Sequence, residues 1–72
     1  MNYNFNQVIK VLEKLFDNGF NTEEKIRKME FEDLDKIPKL QSYEARIILD
    51  LKKAIKNKNL IAFLSDIKHK KD

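Results

Sequence analysis

The sequence has no cysteine and only one histidine among its 72 residues. Disulfide bonds, thiolate metal sites and thiol redox chemistry are therefore excluded. His69 alone supplies neither a metal cluster nor a catalytic pair. A chain of this size without disulfides or metal depends on helix packing, or on a partner, for its stability. We expect no metal and no cofactor.

Long apolar runs are also missing. The longest covers residues 60–64, whereas a helix that spans a membrane needs about 20 apolar residues. The first six residues, MNYNFN, contain no basic segment followed by an apolar one, so no signal peptide is predicted. These features predict a cytoplasmic protein that does not contact membranes.

Side chains suited to covalent catalysis are few: two serines, one threonine and no cysteine. Catalysis needs a nucleophile and a base within hydrogen-bond distance of each other, and no motif in the chain predicts such a pair. With one glycine, the chain has no glycine-rich phosphate loop. The acidic residues between 30 and 35 lack the glycine and the distal glutamate of a calcium loop. The sequence therefore predicts a protein that is not an enzyme and has no small-molecule substrate.

Apolar residues recur at helical spacing through most of the chain. The first predicted helix begins at a cap provided by Asn4 or Asn6. It ends at Gly19, because glycine adopts the left-handed conformation of a helix C-terminus without a steric penalty. A short second helix begins at residues 21–22, where Thr22 or Asn21 accepts a backbone hydrogen bond.

The second half of the chain predicts three more helices. Residues 30–36 form a short one, which Ile37 and Pro38 stop. Ser42 caps a longer helix that continues to about Lys56. Asn59 then caps a C-terminal helix.

The predicted fold is all-α: a compact bundle of about five helices in a single domain over residues 1–67, followed by a frayed basic tail over residues 68–72. All five phenylalanines are assigned to its core: Phe5, Phe16, Phe20, Phe31 and Phe63. Leu49 is an exception among the apolar residues, because it lies on the charged side of the fourth helix. It needs cover, either from the last helix or from another molecule.

Charge is distributed unevenly along a chain whose net charge is +3. Residues 23–35 contain six acidic and three basic side chains, and residues 36–58 contain seven basic and two acidic ones. A nucleic acid would approach the basic segment and avoid the acidic one. Lysine outnumbers arginine thirteen to two, so binding would depend on charge more than on reading bases.

The segment 34–48 has the most specific pattern in the sequence. Ile37, Pro38, Leu40 and Ala45 match the helix-hairpin-helix motif, in which an apolar-Pro-Gly-apolar-Gly hairpin is followed by a small alanine. The chain resembles this family of small, SAM-like helical domains.

The resemblance extends from about Val8 to Lys56. The layout of helices in this segment is similar to that of the C-terminal domain of the bacterial RNA polymerase alpha subunit. The resemblance implies phosphate binding, because the hairpin glycines let backbone N–H groups approach a phosphate at a helix N-terminus. Here Lys39 and Gln41 replace both glycines. A left-handed backbone costs more at a residue with a Cβ atom.

Two functional hypotheses follow. The first is a small module that binds nucleic acid weakly, most simply DNA, through its hairpin and long helix. The residues expected to carry this binding are Lys39, Gln41, Ser42, Arg46, Lys53 and Lys56. The alternative is a protein-interaction module that has lost the nucleic-acid site. In one version of this hypothesis the module associates with a second copy of itself. Its expected contact residues are Leu49, Leu60, Phe63 and Leu64.

Overall fold

The computed structural model describes residues 3–69. Its elements are α1 (Phe5–Asp17), α2 (Glu23–Arg27), a 3-10 helix (Phe31–Lys36), α3 (Ser42–Lys56) and α4 (Leu60–His69). The described residues contain no β-strand, and the prediction of an all-α bundle of about five helices is confirmed. None of these helices, within residues 3–69, combines the length and the apolar character needed to cross a bilayer.

Local hydrogen bonds set both ends of α1. The Asn4 side chain accepts from the Gln7 N–H at 2.9 Å, and the Gln7 side chain accepts from the Asn4 N–H at 2.8 Å. At the other end Gly19 has a φ of 93°, and the Phe20 N–H donates to the Leu15 carbonyl at 2.8 Å. The same carbonyl also accepts from the Asn18 N–H at 3.1 Å, and together the two bonds satisfy a carbonyl at the end of the helix. Of the two predicted caps, Asn4 and Asn6, Asn4 is the one the structure shows, and the predicted stop at Gly19 is confirmed.

The next two helices are short. Thr22 caps α2 as predicted, since its hydroxyl oxygen accepts from the Lys25 N–H at 3.1 Å. The predicted short helix over 30–36 is a 3-10 helix. Its first turn is fixed by the Asp33 carboxylate, which accepts from the Glu30 N–H at 2.8 Å. This bond, assisted by Lys36, lowers the pKa of Asp33 below its ordinary value.

The start of α3 corrects one detail of the sequence prediction. Ser42 is the first helical residue rather than the cap, and Gln41 occupies the cap position with an extended backbone. The reason is Glu44, whose side chain accepts from the Gln41 N–H at 3.0 Å. That contact spans three residues, the spacing of a capping box, and favours a helix that begins at residue 42.

The break between α3 and α4 lies at residues 57–59, as predicted. Lys58 has a φ of 58°, and the Asn59 N–H donates to the Ala54 carbonyl at 2.9 Å. Asn59 immediately precedes α4, and its carbonyl accepts from the Phe63 N–H at 2.9 Å.

The core is centred on α3, which contacts α1, α2 and α4. Because apolar residues recur every three or four positions, each helix turns one apolar stripe inward. The buried apolar residues are Val8, Val11, Leu15, Ile26, Met29, Ile37, Ile47, Ile48, Leu51, Ala54 and Ile67.

The phenylalanines depart from the prediction that all five are buried. Phe5, Phe20 and Phe63 are partly buried against the core. Phe16 is 49% exposed and Phe31 is 81% exposed, so their assignment to the core is wrong. Phe31 is the first residue of the 3-10 helix. A 3-10 helix has three residues per turn, so Phe31 and Leu34 share one face, of which Leu34 is partly buried against the core while Phe31 is left exposed.

The last helix folds back onto α1 and α3. The Nζ atom of Lys68 lies 5.4 Å from the centre of the Phe5 ring, a distance typical of a cation–π contact. Residues 68 and 69, predicted to begin the frayed tail, are the last residues of α4, and residues 70–72 of that tail lie outside the described residues. Leu49 is 53% exposed, so α4 does not bury it.

Candidate functional site

The hairpin (residues 37–41) joins the 3-10 helix to α3. Ile37 is buried, and Leu40 is partly buried against the core. Between them Lys39 has a φ of 59°. This is the left-handed conformation that glycine adopts freely and that costs a lysine about 1–2 kcal/mol. The hairpin therefore keeps, at Lys39, a backbone shape that normally favours glycine.

A lysine on α1 fixes the hairpin in place. The Nζ atom of Lys14 lies 3.1 Å from the carbonyl oxygen of Lys39 and 2.7 Å from Oε1 of Glu44. The same Oε1 atom accepts from the N–H of Gln41. One carboxylate thus connects α1, the hairpin and the first turn of α3.

Glu44 is charged although it is only 2% exposed. Burial raises its pKa, but the hydrogen bonds from Lys14 and from the Gln41 N–H outweigh that effect. The pKa of Glu44 therefore lies below its ordinary value of 4.5. A buried charge held by two donors makes the hairpin rigid, because any movement of the hairpin would remove a donor from that charge.

The six residues predicted to bind nucleic acid do not share one surface. Lys39, Gln41 and Ser42 line an open groove of about 510 Å³ at the hairpin. Arg46 and Lys53 line a different groove of about 390 Å³, between α3 and α4. Lys56 is exposed and lines neither groove.

Arg46 is also less available to bind a phosphate than its place in the basic segment indicates, because an acidic residue lies beside it. Its Nε atom lies 3.5 Å from Oδ1 of Asp50. The second carboxylate oxygen of Asp50 accepts from the Tyr3 hydroxyl at 2.6 Å. Burial, followed by this hydrogen bond and the charge of Asp50, raises the pKa of Tyr3 above its ordinary value of 10.0. The basic stripe predicted along α3 therefore includes an acidic residue that partly offsets it.

The apolar residues of the alternative hypothesis differ in their exposure. Leu60, Phe63 and Leu64 are partly buried against the core, so the apolar face of α4 packs within the chain. Leu49 alone among the four is well exposed.

Three important residues were missed by the sequence reasoning. Glu44 had a detectable signal: it follows Gln41 at capping-box spacing and lies one turn before the buried Ile47 and Ile48. Phe31 had a weaker one, since acidic residues flank it. Nothing in the sequence indicates Lys14, because its partners lie 25 and 30 residues away along the chain.

The geometry of the hairpin suits an anion. The first-turn N–H groups of Ser42 and Tyr43 have no partner within α3, and the positive end of the helix dipole lies there. By contrast, residues 3–69 contain no group of three or more His, Asp or Glu side chains placed to hold a metal ion.

Comparison with known proteins identifies no relative: no protein-family model, no curated protein and no solved structure matches this chain.

Proposed function

We propose that this chain is a non-enzymatic module that binds the phosphate backbone of nucleic acid through the hairpin and the first turn of α3. The left-handed backbone of Lys39 is the observation that carries the proposal. It supports a hairpin of the helix-hairpin-helix type in which a lysine side chain replaces a glycine without altering the backbone shape.

The donors for a phosphate are the Lys39 ammonium, the Ser42 hydroxyl and the free N–H groups of Ser42 and Tyr43. The N–H of Gln41 is excluded, because it already donates to Glu44. One mobile charge and one helix end make a weak site, so binding involves few phosphates and weakens with salt at a log–log slope of about −0.9 for each phosphate contacted.

The lysines farther along α3 have a secondary role in this proposal. Lys53 and Lys56 are exposed and raise the local positive potential, whereas the charge of Arg46 is offset by Asp50. DNA that reaches the hairpin would pass these lysines without a fixed contact.

The test compares two lysines that share a backbone conformation. Lys39→Gly and Lys58→Gly each remove one charge at a residue with a positive φ value, which glycine keeps without strain, but only Lys39 belongs to the hairpin. The measurement is the anisotropy of a fluorescein-labelled DNA duplex of about 12 base pairs, titrated with each protein at several salt concentrations. We expect Lys39→Gly to lower the affinity and reduce the salt slope by about 1, while Lys58→Gly leaves that slope unchanged.

Both variants relieve a strained conformation, so neither should unfold the protein. An amide NMR spectrum of each variant verifies that the fold is retained. If the two substitutions weaken binding equally, the attraction comes from overall charge and the hairpin site is wrong. If the unaltered chain does not bind the duplex even at low salt, the proposed function fails.

A further inference from the structure

A second surface lies beside the hairpin and contains the most exposed aromatic side chain of the described residues. This surface, the apolar groove, has a volume of about 270 Å³ between the 3-10 helix and α3. Its apolar lining consists of Met29, Phe31, Leu34, Ala45, Ile48 and Leu49.

Phe31 is 81% exposed and Leu49 is 53% exposed. Covering apolar surface stabilises a contact, yet within residues 3–69 most of the Phe31 side chain and about half of the Leu49 side chain stay uncovered. Buried and half-buried residues form the floor of the groove, and the two exposed residues stand at its sides. This arrangement of a pocket with projecting apolar anchors is typical of a protein contact.

Acidic residues surround Phe31. Glu30 and Glu32 are its sequence neighbours and are both exposed, and Asp35 lines the adjoining hairpin groove. Lys52 is the one basic residue among those that line the apolar groove, and its ammonium donates to the Met29 carbonyl. The exposed charges directly beside Phe31, those of Glu30 and Glu32, are therefore acidic, and they complement a positively charged partner.

The dimensions of the surface favour a short helix as its occupant. The apolar groove follows α3 from Ala45 to Lys52, and the hairpin groove continues it to Ser42. At 1.5 Å per residue this is a length of about 15 Å, which matches about three turns of a helix laid beside α3. Helices that bind in grooves insert apolar residues spaced three and four apart.

We propose that the apolar groove binds a basic amphipathic helix of another protein, with Phe31 and Leu49 as the apolar anchors and the acidic residues around Phe31 as the source of charge selectivity. This proposal does not rest on phosphate binding at the hairpin, although a helix that reaches Ser42 would compete with a phosphate there, because Phe31, Leu34 and Ala45 line both grooves.

The experiment uses two synthetic peptides of about 14 residues that share leucines at helical spacing. One carries lysine and arginine at the remaining positions, and its twin carries glutamate there. Fluorescence anisotropy measures the affinity of each labelled peptide for the full chain. We expect the basic peptide to bind at least about tenfold more tightly than the acidic twin.

Matched variants locate the contact. Phe31→Ser should weaken binding of the basic peptide by about tenfold or more, and Leu49→Ser should weaken it by less. Ile61→Ser is the control, because Ile61 is 77% exposed on α4 and does not line the apolar groove. All three substitutions are at exposed positions, so their melting temperatures should stay close to that of the unaltered chain.

Several results would overturn the proposal. Equal affinity for the two peptides would show that charge does not select the partner. Equal effects of Phe31→Ser and Ile61→Ser on binding would show that the apolar groove is not the contact surface. No binding of the basic peptide at about 1 mM, where even weak contacts are seen, rejects the groove as a helix receptor. Sedimentation that shows a dimer broken by Phe31→Ser would assign the surface to a second copy of this chain instead.

Discussion

The contact between Lys14 and Glu44 allows a quantitative test of how the hairpin is held. The two atoms lie 2.7 Å apart, and the side chains are 31% and 3% exposed respectively. Replacing Lys14 with methionine keeps most of the apolar stem and removes the ammonium. The carboxylate of Glu44 then retains one donor, the N–H of Gln41.

The expected cost lies between two limits. Removing one partner of a fully buried ion pair costs about 3–5 kcal/mol, and an exposed pair contributes about 0–1 kcal/mol. Water reaches the Lys14 ammonium but hardly reaches Glu44, so we expect Lys14→Met to lower the free energy of unfolding by about 2 kcal/mol at neutral pH. For a domain of this size that corresponds to a fall in Tm of about 8–16 °C.

The pH dependence follows from the sign of the pKa shift. Because the pKa of Glu44 is lowered in the folded chain, its stabilising contribution is complete above about 4.5 and is lost as the pH falls through the folded-state value. In Lys14→Met the carboxylate stays buried with less compensation, so its pKa is higher than in the unaltered chain. Protonation of Glu44 then removes the poorly compensated buried charge in the variant. The difference in the free energy of unfolding between the two proteins therefore shrinks in acid.

Urea denaturation followed by far-UV circular dichroism, at about pH 7, 5 and 3, measures this difference. Lys10→Met is the matched control, because Lys10 is exposed on the same helix one turn earlier and its charge has a smaller effect than that of Lys14 on the pKa of Glu44. It should change stability by no more than about 0.5 kcal/mol. A loss in Lys14→Met that is no larger than the control, or that persists unchanged at the lowest pH, would refute the reasoning.

Two further predictions concern other local contacts. Tyr3→Phe removes the 2.6 Å hydrogen bond to Asp50 and should lower the free energy of unfolding by about 1 kcal/mol. Because the pKa of Tyr3 is raised in the folded chain, the unaltered chain should lose this contribution as the pH rises above about 10. The variant has no hydroxyl and should show no such loss. An unchanged urea midpoint would show that water replaces this bond. Gly19→Ala adds a Cβ atom that meets no atom within 4 Å, so its cost is that of the left-handed backbone, about 1–2 kcal/mol. A thermal melt that shows no loss would mean that the end of α1 rearranges.

Sequence reasoning succeeded where the determining contacts are local. The caps at Asn4 and Thr22 and the stop at Gly19 each depend on atoms within about five residues, and all three are present. It failed for Phe31, because periodicity places Phe31 and Leu34 on one face of the 3-10 helix but does not show how much of that face the rest of the chain covers. The Lys14–Glu44 pair was equally inaccessible, since it joins residues 30 positions apart.

The division of the predicted site has a geometric cause. An α-helix turns about 100° per residue, so Ala45 and Arg46 lie on either side of the exposed line on α3 that passes through Ser42 and Leu49. The 3-10 helix flanks the Ala45 side, and α4 packs on the Arg46 side. Basic residues that are close along the sequence therefore separate into two grooves, and Leu49 stays exposed at the boundary between them.

A positive φ value by itself does not mark a binding site in this chain. Lys58 has nearly the same φ as Lys39, and it lies two residues before the start of α4 and directly after Asn57, the C-cap of α3. At Lys39 the same backbone conformation occurs beside the N-terminal end of that helix, with its N–H groups and positive dipole. The Lys14 ammonium bound to the Lys39 carbonyl compensates part of the strain. The two lysines thus share a conformation at opposite ends of α3, and each lies just before the start of a helix. The comparison of Lys39→Gly with Lys58→Gly therefore tests whether the hairpin contributes more than a positive charge beside a helix N-terminus.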